Sequence, residues 1–522
     1  MNDANIGRLL LDAAAQWPDR AALCDVGDGS GEPTRWSWQQ LAERASWVAR
    51  AVGDAGYGRG DCVGLIGHND AAYVARWFGV ALAGCTLAPL PVMSAPEEVA
   101  WRAGHAGMKL IIAGEATAAL MDQAQPRFEA HQAAPTIWFD IPRDPGASLR
   151  PPAINGRPRT SPEDPALLLY TSGTTGRSKG ALIGHGALVR HTTNVTREAI
   201  PLTPDDVVFA ALPFSHSFGC RMVMLACART GARMVILRRF RAALAWRTLA
   251  AERVTWLPVV PTMLAGLVRA RNRPTLPHLR WSLSAGATLA EPIRRAASEV
   301  LGAPVYQGYG MTEATFSAMD HPPAAPTPGC VGRPSRGVDI RVVSAQGDDV
   351  CLGERGEVWL RGDNTFLRYL NDPDATAAVF QDGWVRSGDV GLFDKAGRLA
   401  IVDRLKDLIV RGGFNVYPSE VEAALVAHAT VHQVAVVGIP DAYHGEEVVA
   451  VVVTNEGLLQ VDALDAWARE RLASYKIPRR YAQVSEMPLG PSRKILKRVL
   501  RQRLLEGGLV STPLPTDASA RG

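Results

Sequence analysis

Short apolar runs that resemble strands alternate with helical patterns along most of this chain. The run at residues 62–67 precedes a helical pattern at 71–83, and the run at 207–212 precedes another helical pattern. Further runs of this kind follow at residues 234–237, 254–257 and 281–284. Such alternation is typical of wound α/β sheets with largely parallel strands. Because these sheets bind ligands at the carboxyl ends of their strands, we expect the functional site there.

The pattern changes after residue 329, and a chain of 522 residues is expected to form two or more domains. We predict a large N-terminal domain over residues 1–403. Within it, short runs such as DIRVV and GEVWLRG, broken by closely spaced turn residues, indicate an antiparallel β subdomain over about 330–403. Four charged residues within 403–407 separate two apolar runs, LAIV and LIV, and indicate a hinge at 404–406.

A small α+β domain is predicted over residues 407–508. It is expected to contain helices at 420–427 and 464–473, strands at 434–437 and 448–453, and a basic helix that begins at Lys494. The polar residues 509–522 are predicted to be a disordered tail.

Composition excludes several classes of function. Apolar residues make up 47% of the chain and the net charge is only +4, with no basic cluster suited to nucleic acid. The chain has no run of about 18 uncharged apolar residues, so no membrane span is predicted. The seven cysteines are scattered and include no C-x-x-C pair. This pattern indicates reduced thiols, and it favours neither a disulfide framework nor a zinc site. Because the N-terminus reads as an amphipathic helix and not as a signal peptide, we expect a cytoplasmic protein.

The segment LLLYTSGTTGRSKG at residues 167–180 is suited to binding a polyphosphate. An apolar strand leads into a loop of small polar residues, and one cation, Lys179, follows it. Glycines allow the backbone to approach an anion, and successive N–H groups can surround it. The spacing is not that of a Walker loop, because Gly180 follows Lys179 where Ser or Thr is required. A flexible surface turn is the alternative interpretation of such a loop. The loop residues are Thr171, Ser172, Gly173, Thr174, Thr175 and Gly176.

Ten ordered motifs together resemble the adenylate-forming superfamily of acyl-CoA synthetases, nonribosomal-peptide adenylation domains and luciferases. The resemblance spans about residues 10 to 505. The motifs are LAGCTLAPLPV from Leu82, YTSGTTGRSKG from Tyr170, LPFSHSFG from Leu212, SAGATL from Ser284, GYGMTEA from Gly308, VGRP from Val331, RSGDVG from Arg386, DRLKDLI from Asp403, GGFNVYPSEVE from Gly412 and PSRKILKR from Pro491.

The resemblance implies an AMP-forming acid–thiol ligase that uses ATP, Mg²⁺ and coenzyme A. Such an enzyme converts a carboxylic acid into an acyl-adenylate and then into a thioester, and the largely apolar residues expected around the acid favour a fatty or aromatic substrate. One alternative is a stand-alone ligase that loads the phosphopantetheine of an acyl carrier protein. Luciferase-like oxygenation and a non-catalytic nucleotide-binding protein are more distant alternatives. Amino-acid activation is disfavoured, because no Asp follows the aromatic residue of PFSHSFG.

The same resemblance implies roles for individual residues in nucleotide binding. The loop from Thr171 to Gly176, together with Lys179, would bind the β- and γ-phosphates. Thr312 and Glu313 would contact the triphosphate, and Glu313 would be the ligand of the metal ion. Taken alone, the Thr-Glu pair reads as a helix N-terminus capped by Thr312. The remaining nucleotide-binding candidates are Tyr309 over the adenine, Gly286, Ala287 and Gly308 leaving room for the base, Gly310 and Met311 in the same motif, and Asp389 and Arg404 at the ribose.

Catalysis is assigned by the resemblance to Lys494, which would bridge the acid carboxylate and the α-phosphate, with Glu313, Thr171 and His216 as further catalytic candidates. His216 would be the gate between the ATP and thiol channels. Lys406 would be the hinge pivot, and Gly412, Gly413 and Phe414 would shape the thiol channel.

Two positions depart from the family pattern. Ser178 replaces a proline, and Arg493 replaces the glycine before Lys494, which removes backbone freedom there. The acyl pocket is expected near His216, Arg221 and residues 260–263, 284–288 and 311–316, where Arg221 could pair with a second carboxylate of the acid.

Overall fold

The computed structural model describes residues 4–139, 160–171, 178–455, 457–490 and 495–513. The chain divides into two compact units. The first comprises Met1–Leu289, Ile293–Arg341 and Trp359–Ser387, and the second comprises Ala290–Pro292, Val342–Val358 and Gly388–Gly522. Among the helices of the described residues, none has the length and apolar character needed to cross a membrane. The described part of the chain contains no disulfide.

The strands within the described ranges are β1 Ala21–Asp25, β2 Thr34–Ser37, β3 Cys62–Ile66, β4 Thr86–Leu90, β5 Met108–Ala113, β6 Thr136–Trp138, β7 Pro165–Thr171, β8 Lys179–Gly184, β9 Val207–Ala210, β10 Arg233–Ile236, β11 Trp256–Val259, β12 Trp281–Ala285, β13 Val305–Tyr309, β14 Ala318–Met319, β15 Arg333–Pro334, β16 Val338–Val343, β17 Gly356–Gly362, β18 Arg368–Tyr369, β19 Phe380–Gln381, β20 Trp384–Phe393, β21 Leu399–Arg404, β22 Ile409–Arg411, β23 Phe414–Val416, β24 Val431–Asp441, β25 Gly445–Thr454, β26 Arg480–Gln483 and β27 Thr512–Pro513.

The α-helices in the same ranges are α1 Arg8–Gln16, α2 Trp38–Asp54, α3 Ala71–Leu82, α4 Pro96–His105, α5 Ala118–Ala124, α6 His185–Glu198, α7 Leu225–Thr230, α8 Ala242–Ala251, α9 Pro261–Arg269, α10 Glu291–Leu301, α11 Pro373–Val379, α12 Pro418–Val426, α13 Val461–Arg469 and α14 Lys497–Leu505. A π-helical segment, Phe218–Met224, leads directly into α7.

The first unit contains a seven-stranded sheet in the order β18-β8-β7-β4-β3-β5-β6. Strands β3, β4, β5, β6 and β7 pair in parallel, and β8 and β18 add antiparallel pairs at one edge. The apolar run at 62–67 forms β3, and the helical pattern at 71–83 forms α3, where Asp70 accepts a hydrogen bond from the Tyr73 N–H at 2.6 Å. This sheet confirms the predicted alternation, because strands buried on both faces need continuous apolar runs.

A nine-stranded sheet in the first unit has the order β15-β14-β13-β12-β11-β9-β10-β1-β2. Its six central strands pair in parallel, which confirms the predicted wound α/β fold. The predicted strand at 254–257 begins two residues later, as Trp256–Val259. Arg253 has φ 55°, and the Val254 N–H donates to the Leu249 carbonyl, so these residues finish the preceding helix turn.

A separate five-stranded sheet has the order β16-β17-β20-β19, with β21 paired to β20. The runs DIRVV and GEVWLRG lie in its strands β16 and β17, and its antiparallel pairs include β19 with β20 and β20 with β21.

The second unit contains a six-stranded sheet in the order β23-β22-β25-β26-β27, with β24 paired to β25. Side chains of this sheet and of α12 and α13 form a buried cluster that includes Val436, Val452 and Leu464. Three predictions differ here from the structure. Helix α13 ends at Arg469, and Thr512–Pro513 in the predicted tail pairs with β26. Helix α14 begins at Lys497, because Ile495 forms a β-bridge with Leu489.

Candidate active site

The two ends of the predicted phosphate loop lie opposite each other on an antiparallel hairpin. Thr171 ends β7, Lys179 begins β8, and the two residues are cross-strand partners. The Thr171 hydroxyl donates to the Lys179 carbonyl at 3.5 Å. Strand β7 is largely buried, so the base of the loop is anchored in the sheet. The other predicted loop residues, Ser172, Gly173, Thr174, Thr175 and Gly176, lie outside the described residues.

Tyr369 lies beside this loop base. It is on β18, which pairs with β8 so that Tyr369 is opposite Ala181. The Lys179 ammonium nitrogen is 5.2 Å from the centroid of the Tyr369 ring, a distance typical of a cation–π contact. The Leu370 N–H donates to the Gly180 carbonyl at 2.7 Å and fixes the strand in place. Lys179 is therefore positioned by a strand that comes much later in the chain.

Glu313, the predicted metal ligand, is only 6% exposed and is held by the same tyrosine. The Tyr369 hydroxyl donates to Glu313 Oε1 at 2.6 Å, and the Phe366 N–H donates to the Glu313 carbonyl at 2.7 Å. Burial, and then the negative charge of Glu313, raise the pKa of Tyr369, so its hydroxyl keeps its proton and acts as the donor. The structure thus brings together Lys179 and Glu313 around Tyr369, a residue for which the sequence offers no motif.

The GYGMTEA segment follows β13, whose neighbour β12 carries the predicted adenine-side residues. The two strands are parallel, and Ala285 is opposite Gly308. Gly286 and Ala287, which follow β12, and Tyr309, which ends β13, therefore lie at the same edge of the sheet. Gly286 has φ 89°, a left-handed conformation that glycine adopts without strain. This arrangement agrees with the expected location at the carboxyl ends of parallel strands.

Glycines 308 and 310 allow the chain to fold back on itself. A Cβ on Gly308 would lie 2.9 Å from the Phe316 ring, and a Cβ on Gly310 would overlap the Phe316 backbone nitrogen. The Met311 N–H donates to the Ala314 carbonyl, and the Ser317 N–H donates to the Tyr309 carbonyl. The segment is a tight return into β14, and no helix begins at Thr312. Gly308 therefore leaves room for the protein's own Phe316, a role that the sequence did not reveal.

His216 follows β9 in a turn where its backbone N–H donates to the Pro213 carbonyl. Its Nδ1 accepts from the Phe218 N–H at 3.4 Å. The next residue, Ser217, shares a 2.5 Å hydrogen bond with Thr315 of the segment after Glu313. The two motifs that begin at Leu212 and Gly308 are therefore joined by direct side-chain contact.

In the second unit, the predicted ribose ligands lie side by side. Asp389 on β20 is opposite Arg404 on β21, and Arg404 Nε is 3.0 Å from Asp389 Oδ1. Asp389 is 4% exposed, whereas the Arg404 side chain is 45% exposed. A carboxylate has two acceptor oxygens and can therefore accept a hydrogen bond from each hydroxyl of a diol. Arg404 balances the negative charge of the Asp389 carboxylate.

The predicted hinge and thiol-channel residues follow directly. Lys406 is in a 3-10 turn, Leu405–Asp407, where burial and then the charge of Arg404 lower its pKa. Gly412 and Gly413 have φ values of 57° and 82° and connect the cross-strand partners Arg411 and Phe414. A two-residue connection with both φ angles positive is a type I′ hairpin turn.

Phe414 extends from this turn with 58% of its surface exposed, and its ring stacks on Tyr475 with a centroid distance of 4.9 Å. The turn therefore presents an aromatic side chain supported by a second ring.

Lys494 lies outside the described residues, and the helix that follows it in the chain is α14. At the start of this helix, the Lys497 ammonium is 2.7 Å from Glu422 Oε1 on α12. Burial works to lower the pKa of Lys497, but the carboxylates of Glu422 and Asp403 raise it overall, so the lysine is charged. This ion pair fixes the helix that follows the predicted catalytic residue.

Comparison with known proteins identifies the family. The model of the AMP-binding enzyme family matches residues 10–370, and that of the AMP-binding enzyme C-terminal domain matches residues 420–494. A sulfoacetate–CoA ligase from Cupriavidus necator is 34% identical over 94% of this chain and 96% of its own length. A feruloyl-CoA synthase from an Amycolatopsis species is 35% identical over 90% of this chain and 94% of its own length.

A solved structure with the same fold is the ATP-bound MatB from Rhodopseudomonas palustris. It is 28% identical, with a TM-score of 0.86, and the match covers 96% of this chain and 99% of that one. The chain therefore belongs to the AMP-binding enzyme family, and it is an AMP-forming acid–thiol ligase of the adenylate-forming superfamily.

Proposed function

We propose that this chain activates a carboxylic acid as its acyl-adenylate and then transfers the acyl group to coenzyme A. The observation that carries the proposal is the arrangement of Lys179 and Glu313 around Tyr369 at the base of the phosphate loop. The first step joins a carboxylate to the α-phosphate of ATP, and these two anions repel each other. Positive charge fixed before the reaction lowers the cost of bringing them together.

Glu313 is the residue that would hold Mg²⁺. Its carboxylate is a hard oxygen ligand of the kind that Mg²⁺ takes, and the Tyr369 hydroxyl fixes one of its oxygens. The ion would neutralise charge on the phosphate oxygens when it is bound. Lys179, which lies over the ring of the same tyrosine, would interact with the β- and γ-phosphates. A mixed set of one carboxylate and one cation thus fits a magnesium nucleotide better than free phosphate.

The resemblance supports the remaining nucleotide contacts. Tyr309 would cover the adenine from the edge formed by β12 and β13, and Asp389 with Arg404 would bind the ribose hydroxyls. Lys494 would bridge the acid carboxylate and the α-phosphate. Coenzyme A is the acceptor that the relatives' activities support. The phosphopantetheine of a carrier protein is the alternative acceptor. The pattern of scattered cysteines supports a cytoplasmic location for the enzyme.

The test follows pyrophosphate and AMP production from ATP with a panel of carboxylic acids. We expect pyrophosphate release that depends on the acid and on Mg²⁺, and that stops when the ion is chelated. Release of AMP and formation of a thioester should then require coenzyme A. Thioester formation on a carrier protein but not on coenzyme A would support the alternative acceptor, and a lack of pyrophosphate release with every acid would contradict the proposed function.

A further inference from the structure

Arg221 is a buried cation without a carboxylate partner in the described part of the chain. It lies in the π-helical segment Phe218–Met224 and is only 2% exposed. Its Nη1 donates to the Thr315 hydroxyl at 2.5 Å, and its Nη2 donates to the Asn364 carbonyl at 3.3 Å. Its buried Nε has no hydrogen-bond partner among the residues that the structure describes. Both of its partners are neutral, so the charge of the guanidinium is not balanced by them.

The titratable groups beside Arg221 do not supply the missing negative charge. Burial lowers the pKa of Arg221 only to about 10, so the guanidinium stays charged at neutral pH. Burial raises the pKa of the neighbouring Cys220 thiol to about 12, which keeps that thiol neutral. His191 is buried, with a pKa lowered to about 3 by burial and then by the charge of Arg221, and is also neutral. A buried charge without a counter-ion is costly, so an anion that reaches Arg221 would be bound strongly.

The position of Arg221 relates this cation to the substrate. The hydroxyl of Thr315 accepts from Arg221 and is also hydrogen-bonded to Ser217, the residue after His216. By the resemblance, His216 and residues 311–316 line the acyl pocket. The guanidinium therefore contacts one segment expected to line the pocket, through Thr315, and lies one hydroxyl away from Ser217, beside the other. Its Nε, unpartnered within the described ranges, leaves one donor for a further ligand.

We propose that Arg221 binds a second anionic group of the substrate, so that the preferred acid carries another carboxylate or a sulfonate besides the carboxylate that is activated. This inference rests on the proposed function and narrows its substrate class. Arginine suits the role because its guanidinium stays charged and carries five N–H donors, of which the two described contacts use only two. An aliphatic or an aromatic acid can meet this requirement.

The relatives do not decide this point by themselves. The sulfoacetate–CoA ligase is named for an acid with two anionic groups, whereas the feruloyl-CoA synthase is named for an aromatic acid with one carboxylate, and the two are about equally similar to this chain. The buried cation therefore carries the inference.

The test compares acids in matched pairs that differ by one anionic group: acetate with sulfoacetate, propanoate with malonate, butanoate with succinate, and benzoate with phthalate. Acid-dependent pyrophosphate release is measured for the wild type, for Arg221→Met, which keeps the length of the side chain without its charge, and for Arg221→Lys. We expect the wild type to prefer the dianionic member of at least one pair. Arg221→Met should lower kcat/KM for that acid on the order of 10²-fold and should affect its monoanionic partner far less, while Arg221→Lys retains part of the preference.

The acetate–sulfoacetate pair tests a sulfonate as the second anionic group, and the other three pairs test a carboxylate. A wild type that prefers the monoanionic member of every pair would overturn the inference, and so would an Arg221→Met variant that loses both members of a pair equally. Pyrophosphate release that ignores the second anion contradicts only the role of Arg221, whereas no release with any acid contradicts the proposed function.

A second measurement avoids the risk that a buried substitution prevents folding. The thermal unfolding midpoint of the wild type is measured with a non-hydrolysable ATP analogue and each acid of a matched pair. Because a ligand that binds only the native state raises this midpoint, the dianionic acid should raise it more than its monoanionic partner at equal concentration. Equal shifts for all pairs would overturn the inference without any variant.

Discussion

His191 makes the stability of the first unit sensitive to acid. It is 1% exposed on α6, and its Nε2 is 3.4 Å from the Phe316 carbonyl oxygen. Burial, and then the charge of Arg221, lower its pKa from 6.5 to about 3. Between these two values the unfolded chain binds a proton that the native chain does not bind. The contribution of this residue to stability is therefore complete above pH 6.5 and is lost as the pH falls below it.

We predict that His191→Gln reduces the loss of stability between pH 7 and pH 5. At pH 5, about 1.5 pH units below the unfolded pKa, protonation of the unfolded chain costs the wild type about 2 kcal/mol, at about 1.36 kcal/mol per unit. The variant has no imidazole at this position and avoids this cost, so its thermal unfolding midpoint should fall less over the same pH range. His278→Gln, at an exposed position, is the control. Equal falls for His191→Gln and the wild type would contradict the prediction.

At the scale of elements, the start of α14 is fixed by the ion pair between Lys497 and Glu422. The two side chains are 22% and 21% exposed, and Glu422 also accepts from the Val436 N–H at 2.7 Å. The pair therefore connects α14 to α12 and to strand β24.

We predict that Lys497→Met destabilises the C-terminal domain by about 2 kcal/mol, because it leaves the carboxylate of Glu422 largely buried without its cation. The double variant Lys497→Met with Glu422→Gln should recover part of that loss, since neither charge then remains. Thermal unfolding of the wild type, both single variants and the double variant measures the coupling. Additive effects of the two substitutions would show that the pair contributes no interaction energy.

The sequence predicted elements well where one residue pattern extended over the whole element. Apolar runs placed β3, β9 and β12, because strands buried on both faces must be apolar throughout. The start of α14 was predicted too early, because Ile495 continues the helical pattern but pairs with Leu489. Strand β27 was missed, because it is only two residues long and one of them is a proline, a residue that is depleted in strands.

The site was predictable only where its residues belong to motifs. Thr171 with Lys179, and Asp389 with Arg404, are each brought together as the motifs imply. The contact between Tyr369 and Glu313 joins positions 56 residues apart through strand pairing, so no local pattern could indicate it. The roles of the individual site residues stay predictions, which substitutions at those positions can test.

At the scale of the whole molecule, the two half-reactions are assigned to different parts of the C-terminal domain. By the resemblance, Lys494 serves adenylation, whereas Gly412, Gly413 and Phe414 serve thioester formation, with Lys406 as the pivot. We predict that Lys494→Ala slows acyl-adenylate formation on the order of 10²-fold or more, because it removes a charge that stabilises the reacting anions. Supplied acyl-adenylate should still be converted to the thioester, as single-turnover assays of each step can show.

Gly413→Ala is the matched variant for the second step. Gly413 has φ 82°, and within the described ranges no atom beyond its chain neighbours lies within 4 Å of the position that a Cβ would take. Alanine therefore strains only the backbone of the turn. It should slow thioester formation more than adenylation, the reverse of Lys494→Ala. Equal losses in both steps for either variant would contradict separate roles for the two segments.

The return of the chain after Tyr309 has a consequence for how related proteins are judged. Any side chain at position 310 would overlap the backbone of Phe316, and one at 308 would press on its ring. Gly310 is thus required by the path of the polypeptide, and Gly308 by the position of the Phe316 ring, even in a descendant that no longer turns over ATP. Their retention in a homologue therefore reports the fold and not the activity. Changes at Glu313 and Lys494, whose predicted roles are metal binding and catalysis, or at Tyr369, which holds Glu313, would be the better sign that activity has been lost.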